Sequence, residues 1–231
     1  MIILAADTSG KNGSIALARA PDAAKPANLS ADALDVMEIV PLAGGTFSAQ
    51  LVPQIAALLG NHGLQVHEIG AFAAASGPGS FTGLRVGLAG IKALAEVLQK
   101  PIAAVSLLEV LARSARAQGK IVAVLDAGRG EVYAGEYDLG ECVKIISERL
   151  LALAELFSVC GSRVFVTPHT QIAEAARNAG LNPVEIPEPR SDAIARLGWE
   201  KIRAGQTVSP EDLEANYIRR SDAEIFAKNS S

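Results

Sequence analysis

Two aspartates are the residues whose type and position best suit chemistry on a phosphate. Asp7 and Asp126 each end an apolar stretch and each precede a turn that contains glycine, with Gly128 in the second turn. A carboxylate placed there can hold a metal ion on a nucleotide phosphate, and a glycine turn can offer backbone N–H groups to the same phosphate. Alternatively, each carboxylate accepts hydrogen bonds from its own turn. The residue pattern leaves both interpretations open.

A third turn, Ser76-Gly77-Pro78-Gly79, follows an apolar stretch at residues 71–75 and precedes a helix that Ser80 or Thr82 can cap. No lysine follows Gly83, as a Walker A loop requires, and Thr82 stands where a dinucleotide-binding fingerprint has its third glycine. We therefore interpret this turn as a strand-to-helix connection that lets two elements approach closely, rather than as a nucleotide cradle.

The helix after this turn carries Gly83, Gly87 and Gly90 close to one side. Glycine inside a helix costs about 1 kcal/mol relative to alanine, so three of them need a reason. Close approach of another backbone is the simplest one. That backbone belongs either to a partner helix or to this chain's own sheet, and we expect the partner.

Other catalytic groups are not evident. His62 and His67 lie five residues apart across a glycine-containing loop, and His169 is alone, so we expect no metal site. Cys142 and Cys160 form no CxxC pair and have no base nearby in sequence. We therefore expect no independent catalysis.

Composition narrows the class of protein. The chain has 231 residues, 49% of them hydrophobic, which is enough for one domain or two small ones with proper cores. A net charge of −4 argues against nucleic-acid binding as the main feature. The first apolar run contains Asp7 and lacks a basic start, so it is not a signal peptide, and no apolar run is long enough to span a membrane. With so few cysteines, we expect a location in the cytoplasm.

The pattern of elements predicts an α/β protein of two lobes. Residues 1–116 read as three strands, then helix, strand, helix, strand and helix, with a loose connection at residues 21–33. Residues 117–231 repeat the strand–acid–glycine–strand pattern and continue with strands at residues 143–147 and 164–166 and helices at residues 152–157, 170–179 and about 192–204. The shorter later elements indicate an internal duplication with a truncated second copy. We expect Tyr217 and Ile218 to dock on the body and the residues from Ala227 onward to be dispensable.

Three motifs carry a resemblance to a known family. They are ILAADTS at residues 3–9, SGPGSFTGLRVGLAGIKALAEVL at residues 76–98 and LDAGRGEVYAGEY at residues 125–137. In this order, and over nearly the whole chain, they resemble the bacterial TsaB (YeaZ) family. The resemblance implies the two-lobed actin-like fold of the sugar kinase, Hsp70 and actin superfold.

The resemblance also implies a function and partners. It implies a non-catalytic accessory subunit that pairs with the transferase TsaD, with TsaE joining as the ATPase, in making threonylcarbamoyladenosine in tRNA next to the anticodon. ATP and magnesium would serve the assembled complex, with no cofactor bound tightly to this chain, and the isolated chain would form a homodimer. In the family two helices form the partner interface, which here corresponds to Phe47, Leu51, Ile55, Gly83, Gly87 and Gly90.

The sequence differs from the usual family pattern at two positions, and two other functions are alternatives to the one that the resemblance implies. Phe47 stands where most of the family has a histidine, and Asn216 where it usually has a proline. One rival function is a small ATP-dependent phosphotransferase that uses Asp7, Asp126 and Gly128, since such aspartate pairs bracket the phosphates in sugar and acetate kinases. The other rival function is a metallopeptidase. That function would require a bound metal ion, and we expect none.

Overall fold

A computed structural model describes residues 1–21, 33–140 and 142–218, apart from the side chain of Val159. The predicted loose connection at residues 21–33 and the C-terminal residues from Ala227 lie almost wholly outside the described residues. The chain forms two compact units. The first comprises Met1–Leu107 and Pro189–Ala215, and the second comprises Leu108–Glu188 and the residues from Asn216 onward.

The first unit contains a five-stranded sheet of order β3-β2-β1-β4-β5. Its strands are β1 Ile2–Asp7, β2 Gly13–Arg19, β3 Asp35–Leu42, β4 Ile69–Gly77 and β5 Ile102–Ser106. The first three are antiparallel, whereas β4 runs parallel to β1 and β5 parallel to β4. The central strands β1 and β4 read as continuous apolar runs because helices cover both faces of such a sheet.

Helices follow the strands in the predicted order. They are α1 Phe47–Asn61, α2 Phe81–Leu98, α3 Leu107–Ser114, α4 Leu153–Cys160, α5 Thr170–Asn178 and α6 Ser191–Arg203, and a 3-10 turn lies at Val66–Glu68. The side chain of Ser80 caps α2 by accepting a hydrogen bond from the Gly83 N–H at 3.3 Å. The predicted capping position of α2 is therefore confirmed at Ser80.

The second unit repeats the topology of the first. Its sheet has the order β10-β9-β6-β7-β8, which is the order of the first sheet with each strand replaced by its counterpart. The strands are β6 Gly119–Gly128, β7 Glu131–Leu139, β8 Val143–Ala152, β9 Val164–Thr167 and β10 Pro183–Glu185. The predicted duplication is confirmed. The second copy is reduced in the length of its helices and of β9 and β10 rather than in the number of strands, and β10 had no predicted counterpart.

The structure divides the chain differently from the predicted boundary after residue 116. Helix α6, expected in the second lobe, lies against the first sheet, where a Cβ at Gly198 would be 2.4 Å from the Cβ of Ala73. Most of α3 belongs to the second unit, and Leu108 approaches Gly135 of β7 there. Order along the chain does not determine which sheet a helix covers, since that depends on packing.

In the described part of the chain, no helix has both the length and the apolar character that crossing a membrane requires.

Candidate functional site

The carboxylate of Asp7 is held by the turn that follows β1. Its Oδ1 accepts hydrogen bonds from the Ser9 backbone N–H at 2.8 Å and from the Ser9 hydroxyl at 2.6 Å, and both residues are buried. In the second unit, Oδ1 of the exposed Asp126 accepts from the Gly128 N–H at 2.8 Å. The hydrogen bonding to its own turn that the sequence predicted as one alternative is therefore present at both aspartates.

The glycine turn before α2 lies directly against the Asp7 turn. The Ser80 N–H donates to the Ser9 carbonyl at 2.7 Å, and a Cβ at Gly79 would come within 2.6 Å of the same oxygen. This contact confirms the interpretation that Gly79 allows two elements to approach closely. The space beside Gly79 is filled by this chain's own backbone.

The helical glycines Gly83 and Gly87 also face Thr8. A Cβ at Gly83 would be 2.0 Å from the Thr8 carbonyl oxygen, and one at Gly87 would be 2.2 Å from the Thr8 hydroxyl oxygen. That hydroxyl donates to the Gly83 carbonyl at 2.7 Å. The expectation of a close backbone is correct, but the backbone is internal. We therefore correct the assignment of Gly83 and Gly87 to a partner interface.

The other predicted interface residues also point inward. Phe47, Leu51 and Ile55 are buried in the core between α1 and the first sheet. A Cβ at Gly90 would be 2.7 Å from Cδ2 of Leu51, so this glycine lets α1 and α2 pack together. Side chains already covered within one chain have little surface left for a partner. Phe47, Leu51 and Ile55 therefore belong to the core, whereas the interface role of the half-buried Gly90 stays a prediction.

The outward sides of the same two helices form a different surface. Val52 on α1 is 58% exposed and Val97 on α2 is 80% exposed. No charged residue occurs anywhere in α1. Exposed small residues accompany the two valines at helical spacing. We call this surface the α1/α2 face, and it comprises Ala49, Val52, Pro53, Ala56, Ala89, Ala93 and Val97.

The α1/α2 face is what the sequence interpretation missed. The predicted interface residues included neither Val52 nor Val97. A signal was available, because a 15-residue helix without a charged side chain is unusual for a helix with one side in water. Exposed apolar residues on an uncharged helix suit a contact surface.

Metal ligands and shifted pKa values do not add a second site. Among residues 1–21, 33–140 and 142–218, no group of three or more His, Cys, Asp or Glu side chains is arranged to hold a metal ion. His62 Nε2 lies 2.9 Å from Oε2 of Glu38, joining the end of α1 to β3.

Burial raises the pKa of the Cys160 thiol. The thiol therefore stays protonated near neutral pH, and a protonated thiol is the less reactive form. A hydrogen bond from Arg177 lowers the pKa of Glu185.

Comparison with known proteins is consistent with this architecture. The family model described as "TsaD: tRNA N6-adenosine threonylcarbamoyltransferase" matches residues 39–221. A Bacillus subtilis protein named "tRNA threonylcarbamoyladenosine biosynthesis protein TsaB" is 29% identical, over 97% of this chain and 96% of its own length. A Haemophilus influenzae protein of the same name is 31% identical, over 77% of this chain and 82% of its own length.

A solved structure gives the fold. YeaZ from Pseudomonas aeruginosa superposes with a TM-score of 0.73 at 24% identity, covering 94% of this chain and 99% of YeaZ. The duplicated sheets and their helices define an actin-like α/β protein. The chain belongs to the family that the matching model describes and, within it, to the TsaB proteins.

Proposed function

We propose that this chain is an accessory subunit in the synthesis of N6-threonylcarbamoyladenosine in tRNA. It binds a TsaD-type transferase subunit, and a TsaE-type ATPase joins them. The assembled complex transfers the threonylcarbamoyl group from its adenylate to the adenosine beside the anticodon, in the cytoplasm. ATP and magnesium are used by that complex, and this chain holds neither tightly by itself.

The observation that carries this proposal is the exposed α1/α2 face in a chain whose relatives are named for this pathway. Its two valines are largely exposed, with Ala49, Pro53 and Ala56 near Val52, and Ala93 and the charged Glu96 near Val97. Burying the apolar part of this surface stabilises a complex by about 25 cal/mol for each Å². Small side chains also let two helix pairs approach closely.

The same face also suits pairing of the isolated chain with a second copy. α1 and α2 are neighbours, since Leu51 lies against Gly90, so their exposed sides form one surface. A surface of this kind can pair with a second copy of itself about a two-fold axis. We therefore propose that the isolated chain forms a homodimer, which the transferase subunit displaces by binding to the same face.

A single charge on this face tests the proposal. We expect Val97→Glu to leave the chain folded, because the side chain lies in water, while it weakens both the homodimer and the complex with TsaD. An unpaired charge in the contact should cost about 2 kcal/mol or more, roughly 30-fold in Kd. Light scattering gives the homodimer mass, and calorimetric titration with TsaD gives the Kd.

The matched control is Val66→Glu, since Val66 is exposed in the same unit but outside the α1/α2 face. This control should bind TsaD as the unaltered chain does. If Val97→Glu forms both complexes with unchanged affinity, the α1/α2 face is not the partner surface.

A further inference from the structure

The second unit has an exposed apolar edge that the proposed function does not use. β8 is the outermost strand of its sheet and, among the described residues, has a neighbouring strand on one side only. On it, Ile145 is 54% exposed and Ile146 is 53% exposed. Both isoleucines are therefore more than half exposed, and this part of the edge strand carries uncovered apolar surface.

The pairing of β8 with β7 is interrupted at the same place. Tyr137 pairs with Ile145 and Glu136 pairs with Ser147, so Ile146 is an extra residue without a partner on β7. A bulge of this kind bends an edge strand and prevents regular pairing with another sheet edge. The edge is therefore better suited to a short extended segment than to the long matching strand of a second copy.

The described chain ends beside this edge. The side chain of Asn216 donates a hydrogen bond from Nδ2 to Oε2 of Glu148 at 2.6 Å, and Glu148 lies on β8 three residues from Ile145. The other carboxylate oxygen of Glu148 accepts from the hydroxyl of the buried Tyr137. Glu148 thus holds the C-terminal segment at β8, and the chain continues from Ile218 for a further 13 residues.

The remaining sequence matches the edge in length and chemistry. Residues 219–231 read RRSDAEIFAKNSS, in which Ile225 and Phe226 are the only large apolar residues. Ile225 follows Ile218 by about seven positions and can lie at most about 25 Å from it, whereas Glu148 and Ile145 are only about 10 Å apart along the strand. Asp222 and Glu224 precede the apolar pair, and the exposed Lys144 lies next to Ile145.

We propose that this chain's own residues 222–228 bind along the free edge of β8, so that Ile225 and Phe226 cover Ile145 and Ile146. The added segment would take main-chain hydrogen bonds from the open edge, as in other cases of strand addition. It would also remove an exposed apolar edge that is a risk for aggregation. This inference is independent of the proposed function, because it concerns the second unit and not the α1/α2 face.

Hydrogen exchange of the β8 amides tests the proposal. We compare the full chain with a chain that ends at Ile218, following the amides of residues 143–149 by mass spectrometry. We expect these amides to exchange at least about 10-fold faster in the shortened chain, since they lose their covering segment. Equal rates in the two chains would overturn the proposal.

Full-length variants separate the apolar contact from the mere presence of the segment. Ile225→Ser with Phe226→Ser should exchange like the shortened chain. The matched control, Ala223→Ser with Ala227→Ser, makes the same number of changes but removes much less apolar surface, and should retain the protection. A synthetic peptide of residues 219–231 should restore protection to the shortened chain, but not to one that also carries Ile145→Ser and Ile146→Ser.

The other possible occupant would give a different result. If a second copy covers β8, protection should increase with protein concentration and should be the same with and without residues 219–231. That result, with a dimer mass in light scattering for both chains, would replace the proposal with an interface between copies.

Discussion

At the scale of single residues, the two aspartates show how one motif serves two environments. Asp7 is buried and accepts two hydrogen bonds from Ser9, whereas Asp126 is exposed and accepts one from the Gly128 N–H. A buried donor that loses its acceptor costs more than an exposed one, because water cannot replace the acceptor. The same substitution should therefore have unequal effects at the two positions.

We expect Asp7→Ala to destabilise the chain by about 1–3 kcal/mol, since the Ser9 N–H and hydroxyl lose their acceptor. Asp126→Ala should cost no more than about 1 kcal/mol. Urea unfolding with an unchanged slope measures both values. If the two variants unfold at the same urea concentration, the Asp7 turn does not have the structural role assigned to it.

The assembled complex gives the functional part of this test. Both variants, once folded and bound to their partners, should retain much of the transferase activity. A loss of about 100-fold, equivalent to about 2.7 kcal/mol in the barrier, would assign these carboxylates to the chemistry instead.

At the scale of elements, the central feature is the close packing of α2 on the turn after β1. Gly83 and Gly87 let the helix approach Thr8 so closely that no side chain fits between them. The helix-propensity cost of these glycines is therefore offset by contact with the chain's own sheet. One side of α2 is used in this way, whereas Ala93 and Val97, about 80° around the helix from Gly83 and Gly87, are exposed.

We expect Gly83→Ala to destabilise the folded chain by about 1–3 kcal/mol, because its Cβ would overlap the Thr8 backbone, which cannot move without shifting β1. The control is Gly60→Ala near the end of α1, where a Cβ meets nothing within 4 Å. That change should stabilise the chain by up to about 1 kcal/mol, since alanine favours helix. Urea unfolding of both variants measures the difference, and a neutral or stabilising Gly83→Ala would contradict the internal role of this glycine.

At the scale of the whole molecule, the chain is a duplication whose two copies differ in the length of their helices. Both sheets have the same strand order, but the first unit has helices of 15 and 18 residues where the second has helices of 8 and 9. The longer helices of the first unit provide the α1/α2 face. The shorter second unit provides the exposed edge of β8.

The accessory role makes a prediction for the isolated chain. Given millimolar ATP and magnesium, the purified chain alone should show no sustained ATP turnover. The carboxylates of Asp7 and Asp126 accept hydrogen bonds from their own turns. Release of inorganic phosphate measures turnover, and the reconstituted complex serves as the positive control. Sustained turnover by the chain alone, lost in Asp126→Ala, would instead support the rival phosphotransferase.

Local pattern was enough to predict most of the architecture. Within the described part of the chain, apolar runs, turn glycines and helical spacing identified nine of the ten strands and all six helices, because each of these signals lies within one element. The repetition of the Asp7 motif at Asp126 also indicated the internal duplication. Strand β10 was not predicted from the sequence, because it has only three residues and begins with a proline.

The sequence by itself determined that α1 and α2 carry apolar stripes and a row of small residues. It could not determine which side of each helix the chain's own sheet would cover, since a stripe of leucine or glycine suits a core and a partner surface equally well. Only the tertiary structure placed Leu51 and Gly83 inside and Val52 and Val97 outside. It also assigned α6 to the first sheet. No local sequence pattern encodes that contact, because it joins residues more than 100 positions apart.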